Sequence, residues 1–497
     1  MKKFKINKIA LFMVVILTLT ACEDYLERPP LARYDQDTYP VGAGLSTYIF
    51  GMYSQLREFH VHTMGFVAVS NIRSEDADKG STPADGATIR EMDDFTVLPS
   101  NGYVNNFWIN YYEAIGQANL VLVKAEELRD EVTEEEYMNA RGEALFIRGY
   151  LYFNLVRTYG GVPIVTSVVS SDDNFSIPRA SEQEVYDQII EDLNESINLL
   201  PETWDEFFVG RVSRSAAQGI LSKVYLYQER YADALAMAEN VIGSGLYDLS
   251  TPYDVIFTEE GENSSGSIFE VQALRNENYQ TNAFGSQYGQ VQGVRGSGQW
   301  NLGWGFNVPS EQLVAAYETG DPRMDATILF GGETTPYGEV VPSDLPNPRY
   351  NQKVYTDPDF REAANTQGGW WVNIRILRYA DVILIAAEAA NELGQTEQAL
   401  EYLEMVRARA RAGNNNILPE ITTTDQEELR QAIRQERRIE LAMEHERFFD
   451  LVRYDIAEEV LHAAGKTNFV SGKHELLPIP QQQIDLSGGV LTQNEGY

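Results

Sequence analysis

Cysteine is almost missing from this chain: Cys22 stands alone among 497 residues. A single thiol excludes an internal disulfide framework and a thiolate metal cage, so stability has to come from packing. Histidine is scarce too, with five in all and no His-Glu-x-x-His spacing; His445, flanked by Glu444 and Glu446, has no second histidine four residues away. No catalytic zinc site and no other metal is expected. Long apolar runs are absent beyond Ile9–Leu19, whose 11 residues fall well short of the ~20 that span a bilayer. Gly285, Gly289, Gly293, Gly296 and Gly298 follow no apolar strand and open no clear helix, which argues against a phosphate-cradling loop. Basic residues are few, 39 against 74 acidic. A field of that sign repels nucleic acid and anionic lipid surfaces and leaves neutral or cationic ligands open. A pair of glycosidase carboxylates cannot be singled out among so many acids. A binding role without catalysis and without a cofactor is the expectation.

At the N-terminus, Lys2, Lys3, Lys5 and Lys8 precede the apolar run, which leads into Leu19-Thr20-Ala21-Cys22. This reads as a signal peptide over 1–21. A small residue before the cysteine, with leucine three positions before it, resembles the bacterial lipoprotein pattern, in which the cysteine is acylated and becomes the first residue. Four of the basic residues and none of the acidic ones precede Cys22, so the remainder carries 35 basic against 74 acidic residues, a formal charge of −39. Residues 22–40 are polar and proline-containing and read as a lipidated tether.

Helical periodicity starts after the tether. Apolar or small residues recur at three- and four-residue spacing over 41–58, 106–129, 134–159, 181–200, 213–229, 231–244, 375–393, 396–411 and 425–453. Two helix pairs match in detail. Ser222 and Tyr225, then Tyr231, Ala234, Ala238 and Val241, correspond to Ala387 and Ala390, then Thr396, Ala399, Leu403 and Val406, with an offset of 165 at every position. Small residues at this spacing let paired helices approach closely, as in tetratricopeptide repeats. Residues 246–374 change character to Gly, Asn, Gln, Tyr and Trp, with short β-like runs such as Ile268–Gln272 between turns. The fold class predicted is mostly α: a tetratricopeptide-like helical-repeat scaffold over 41–245 and 375–497, carrying a large irregular, partly β insertion over 246–374. Irregular stretches of that length are usually functional or disordered, and the aromatic content here favours functional.

From Glu436 to Arg453 charges alternate as Glu436-Arg437-Arg438-Ile439-Glu440-Leu441, Glu444, Glu446-Arg447 and Asp450-Leu451-Val452-Arg453. On a single long helix this pattern predicts a solvated face of ion pairs, worth ~0.3 to 0.5 kcal/mol each. Other motifs accompany it in order. They are Cys22-Glu23-Asp24-Tyr25-Leu26-Glu27; Trp108 with Tyr112, Ile115, Ala118 and Asn119; Arg141-Gly142-Glu143-Ala144, Arg148 and Tyr152-Phe153; and Tyr159-Gly160-Gly161-Val162-Pro163. Pro178-Arg179, Val185-Tyr186, Asp192-Leu193, Gly303-Trp304-Gly305, Pro309-Ser310, Asp321-Pro322-Arg323 and Arg378-Tyr379-Ala380-Asp381 with Ala387-Glu388-Ala389 follow. Leu477-Pro478-Ile479-Pro480 and Gln493-Asn494-Glu495-Gly496-Tyr497 end the series. Taken together, the chain resembles the RagB/SusD family of outer-membrane nutrient-uptake lipoproteins of Bacteroidetes.

The resemblance implies a lipid-anchored protein on the outer membrane, facing outward, seated as a lid on a SusC-like TonB-dependent transporter and capturing a nutrient for it. Glu23 and Asp24 directly after Cys22 resemble the family's surface-export signal. The ligand it implies is a glycan oligosaccharide; a peptide, which the acidic field would suit, and a scaffold binding only protein partners are the alternatives. Site residues are expected from the loop before the Trp108 helix, with Asn101 and Tyr103, and from the insertion, with Tyr279, Tyr288, Gln299, Trp300 and Asn301. Trp300 leads, because an indole in a glycine-flanked loop should be exposed for stacking, whereas Trp304 in its Gly-Trp-Gly motif is expected to be structural. Since Cys22 carries the whole anchor, Cys22→Ala is expected to move the folded protein from the membrane pellet to the soluble fraction; retention in the pellet without aggregation would contradict it.

Overall fold

The computed structural model describes residues 44–168, 177–274, 285–364 and 367–497. The expected signal peptide, the tether, Cys22 and Tyr279 lie outside these residues. Nine long helices form the frame: α1 (Leu45–Gln55), α2 (Gly102–Glu127), α3 (Glu134–Tyr159), α4 (Glu182–Leu199), α5 (Arg214–Tyr227), α6 (Tyr231–Gly243), α7 (Tyr379–Glu392), α8 (Thr396–Arg411) and α9 (Gln426–Glu440), counted among the described residues. Their starts are chemically marked. Asn101 accepts from the Tyr103 and Val104 amides, Thr133 with Glu136 and Ser181 with Glu184 form capping boxes, and Asp425 accepts from Glu427 and Glu428. Each of these satisfies amides that the first turn leaves unpaired.

From α2 onward each long helix packs on the next: α2 on α3, α3 on α4, α4 on α5, α5 on α6. α6 then packs directly on α7, and α7 on α8, although residues 244–378 intervene. The repeat array therefore runs unbroken in space across the insertion. Small side chains make the close approach possible: Ala234, Ala238, Ala386, Ala387, Ala389, Ala390 and Ala399 are fully buried, with Val241, Leu403 and Val406 filling between them. The base of the insertion is closed by a strand pair, β2 (Ser267–Val271) against β6 (Ile374–Arg378), antiparallel, and β6 runs straight into α7. Residues 374–378, expected as the start of a helix from 375, are thus a strand, because β2 offers them backbone partners that periodicity does not reveal. Two more antiparallel pairs lie nearby: β1 (Ala77–Gly80) with β3 (Phe306–Pro309), and β4 (Ile328–Phe330) with β5 (Arg349–Asn351). The helices inside the insertion are short, among them Tyr288–Gln292, which passes through Gly289 where a loop was expected.

The charged run departs from expectation twice. It is not one helix over 425–453. α9 ends at Glu440, Met443 and His445 adopt positive φ of 66° and 74°, and a second helix spans Arg447–Arg453. Nor is its face solvated. Glu436, Arg437 and Glu440 are buried. The Glu440 carboxylate accepts from Arg378 (2.8 Å), Arg409 (2.5 Å) and Arg323 (3.2 Å), and Arg323 also reaches Asp321 and Glu436. On another side of α9, Arg437 bonds Asp381 (2.5 Å) and Asp450 (2.9 Å), while Lys223 joins Asp381 to Glu446. Burial by itself would raise the Glu440 carboxyl; the guanidinium groups of Arg409, Arg378 and Arg323 outweigh it and hold it well below the usual carboxylate range.

Removing one member of such a network leaves desolvated charge unpaired, at a cost of ~3 to 5 kcal/mol. Glu440→Gln is therefore expected to lower unfolding free energy by about that much in chemical denaturation. Glu195→Gln, which breaks only the exposed pair with Arg141, should cost about 0 to 1 kcal/mol. Equal effects of the two changes would refute the burial argument.

Candidate functional site

The residues expected to bind ligand separate into inward and outward groups. Asn101 is buried as the cap of α2, with its side-chain amide donating to Thr88 O (2.9 Å) and Glu91 Oε2 (2.7 Å). Tyr288 is buried and its hydroxyl is hydrogen-bonded to His445 Nε2 (3.0 Å). Trp300, expected to be exposed, is 6% exposed. It sits in a 3-10 turn, Gly298–Trp300, with its ring stacked on Tyr355 at 6.2 Å and packed among Val294, Leu302, Leu329, Val341 and Tyr350. The glycines around it create a turn that folds the indole inward; absence of periodicity was no sign of exposure. Gln299 and Asn301, on either side, are exposed, and Tyr103 is partly exposed.

Around Tyr103 the structure assembles a stripe of partly exposed rings that the sequence reading had not joined. The turn after α1 carries Phe59 and His60, whose rings lie 5.0 Å apart. His60 meets Tyr103, in the first turn of α2, at 5.4 Å, and its Nε2 is 3.2 Å from the Asn106 side-chain amide. On the other side Phe59 lies 6.1 Å from Trp304 of the insertion. Trp304 is held by its own backbone, its amide donating to the Gln290 carbonyl at 2.7 Å. The same Gln290 accepts at its side chain from the Trp370 indole (3.0 Å) and from Gln287 (2.9 Å), so one residue holds the Trp304 backbone and the Trp370 indole. A Cβ on Gly303 would overlap the Gln290 carbonyl oxygen, which is why glycine precedes Trp304. Gln367, with its amide oriented to donate, bridges the carbonyls of Gly298 (3.2 Å) and Asn301 (3.0 Å) and ties the Gln299–Asn301 turn to the segment carrying Trp370.

Trp304 had been expected as a structural residue of its Gly-Trp-Gly motif; it is partly exposed. Its signal in the sequence was ambiguous, and that of Phe59, His60 and Trp370 was absent, since nothing local says that three distant turns converge. Burial depresses the His60 imidazole to about 4, so it is neutral at neutral pH. The stripe thus offers uncharged π-faces, rimmed by the amides of Gln287, Gln290 and Asn106. Electron-rich ring faces attract polarised C–H groups, and amides both donate to and accept from hydroxyls. Among the described residues no cluster of His, Cys, Asp and Glu is arranged to hold a metal ion.

The chain is similar to known proteins along its whole length. Residues 25–226 match the family described as "Starch-binding associating with outer membrane", and residues 265–497 match the SusD family. The chain is 31% identical to "SusD-like protein P2" of Formosa agariphila over the whole of both chains. A solved structure titled "Laminarin binding SusD-like protein" superposes with a TM-score of 0.78 at 29% identity, covering 91% of this chain and 99% of that one. "Surface glycan-binding protein A from Bacteroides thetaiotaomicron in complex with laminarihexaose" shares the fold, with a TM-score of 0.76 at 24% identity, covering 90% of this chain and 98% of that one.

The placement of the two indoles separates their roles. Trp300→Ala deletes a packed ring and is expected to cost ~3 to 5 kcal/mol of stability. Trp304→Ala, at a partly exposed position, should cost within about 1 kcal/mol. Thermal denaturation of the two variants decides between these assignments, and a larger loss for Trp304→Ala would reverse them.

Proposed function

We propose that this chain, which belongs to the SusD family, is a cell-surface binding protein that captures a glycan oligosaccharide on the Tyr103–His60–Phe59–Trp304–Trp370 stripe and passes it to a SusC-like TonB-dependent transporter. The observation that carries the reading is the contact among partly exposed rings from the turn after α1, from α2 and from the insertion, with Trp370 reached through Gln290 and side-chain amides beside them. Rings left exposed at such a cost in apolar hydration suit a ligand whose faces are C–H and whose edges are hydroxyl. Laminarin binding by a structural relative at 29% identity supports a glucan as the first ligand to try. The role is capture without catalysis. Gln299 and Asn301, exposed on the turn that Gln367 ties to the Trp370 segment, are candidates to bond hydroxyls of a longer chain, and Tyr279 remains a candidate from the same insertion.

Attachment to the outer membrane through lipid on Cys22 accords with a family described by its outer-membrane association. No described helix is long and apolar enough to cross a membrane. The α3–α8 part of the array offers a broad, regular surface for the transporter, leaving the ring stripe for the ligand.

Calorimetry against laminarin and a panel of neutral oligosaccharides and oligopeptides tests the site. Trp304→Ala is expected to weaken glycan binding by about tenfold or more, as loss of a central aromatic anchor does, with little change in melting temperature. Unchanged affinity removes Trp304 from the site, and binding of peptides alone replaces the glycan reading. Co-purification from detergent with a large barrel protein supports the transporter, and isolation always alone contradicts it.

A further inference from the structure

Two tryptophans stand side by side in the segment that leads into β6, and their surroundings differ. Trp370 is partly exposed and belongs to the ring stripe, whereas Trp371 is 5% exposed. A buried indole needs an acceptor for its N–H. Trp371 finds one in the Glu259 carboxylate, at 2.9 Å, on a turn 112 residues earlier in the chain. Further bonds lace that turn to the same segment. Glu262 accepts from the Asn373 amide (2.8 Å), and Arg375 donates back to the carbonyls of Ile256 (2.8 Å) and Thr258 (3.0 Å). The Trp370 carbonyl itself accepts from the Ser286 amide (2.8 Å). The backbone of 370–373 is thereby held at both ends, which sets the direction in which the Trp370 side chain leaves it.

We infer, resting on the reading of the ring stripe as a glycan site, that Glu259 is a positioning residue for the ligand: by fixing the buried Trp371 indole it aims the neighbouring Trp370 ring at the glycan. A binding side chain has to be held to within about 10–20° of its productive orientation, and supporting hydrogen bonds are what hold it. The Glu259 bond lies one residue from the stacking ring, and its acceptor is a carboxylate, which holds an N–H more strongly than a neutral oxygen does. Glu259 touches no ligand in this arrangement; it acts through Trp371.

The test is calorimetry of the full chain with laminarin and the neutral oligosaccharide panel, at a temperature where every variant is folded. Trp370→Ala is expected to weaken laminarin binding by about tenfold and Glu259→Leu by about fivefold. Glu259→Gln, which keeps an oxygen acceptor in place, should bring affinity back to within about twofold of the unaltered chain. Trp371→Phe keeps a buried ring but removes its N–H, so it should reproduce the Glu259→Leu loss, and the two changes together should lose little more than either alone. Unchanged affinity in Trp370→Ala or in Glu259→Leu, an equal loss in Glu259→Gln, or additive losses in the double variant would overturn the positioning role, while laminarin binding by the unaltered chain leaves the glycan site in place. Failure of the unaltered chain to bind any glycan removes the glycan reading and the positioning role with it.

Discussion

The buried charge around α9 is the constraint from which the rest of the molecule follows. Glu436 and Glu440 face guanidinium groups from the insertion (Arg323), from the strand that closes it (Arg378) and from α8 (Arg407, Arg409), while Arg437 faces Asp381 of α7. Ion pairs at this depth add little net stability compared with apolar packing, but each group forbids any arrangement that leaves another unpaired. Side chains from separate segments are thereby locked into one mutual geometry. Alanine packing between α6, α7 and α8 supplies the apolar contact that holds the same elements together.

That hub also positions the ring stripe. Where α9 stops, Glu444 accepts from Lys353 and Arg378, and His445 turns inward on a left-handed backbone to meet Ser70 and Tyr288. Burial depresses the His445 imidazole to about 3, so it serves as a neutral hydrogen-bonding joint. Tyr288 opens the short helix that contains Gln290, and Gln290 holds both Trp304 and Trp370. Hydrogen bonds alternating with short stretches of chain thus connect the end of α9 to the Trp304 backbone and the Trp370 indole. Tyr288 is a bolt in this path and its hydroxyl is taken up by His445.

Much of the fold was legible in the sequence because its cause is local or periodic. Helix starts at Asn101, Thr133, Ser181 and Asp425 carry their own capping chemistry, and the matched pairs at an offset of 165 place small residues where helices must approach. The β-like run at Ile268–Gln272 was visible as well, and so was a partly β, irregular insertion between the two matched helix pairs. Boundaries failed where a distant partner decides them, at 374–378, which β2 draws into a strand, and at 441–446, where burial of His445 breaks a helical pattern.

The chain by itself therefore determined the class of the molecule: a cysteine-poor, acidic, alanine-packed helical array interrupted by an aromatic insertion, in the motif order of its family. Only the tertiary structure decided which charges are buried and which rings face out. Alternating Glu and Arg look the same on a solvated helix as in a sealed network, because the partners of Glu440 are supplied by Arg323 and Arg378 from far along the chain. Trp300 and Trp304 stand four residues apart in equally glycine-rich sequence, yet one packs on Tyr355 and the other lies beside Phe59 at the surface. Exposure is a property of what arrives from elsewhere to cover a side chain, and neither spacing nor composition records that.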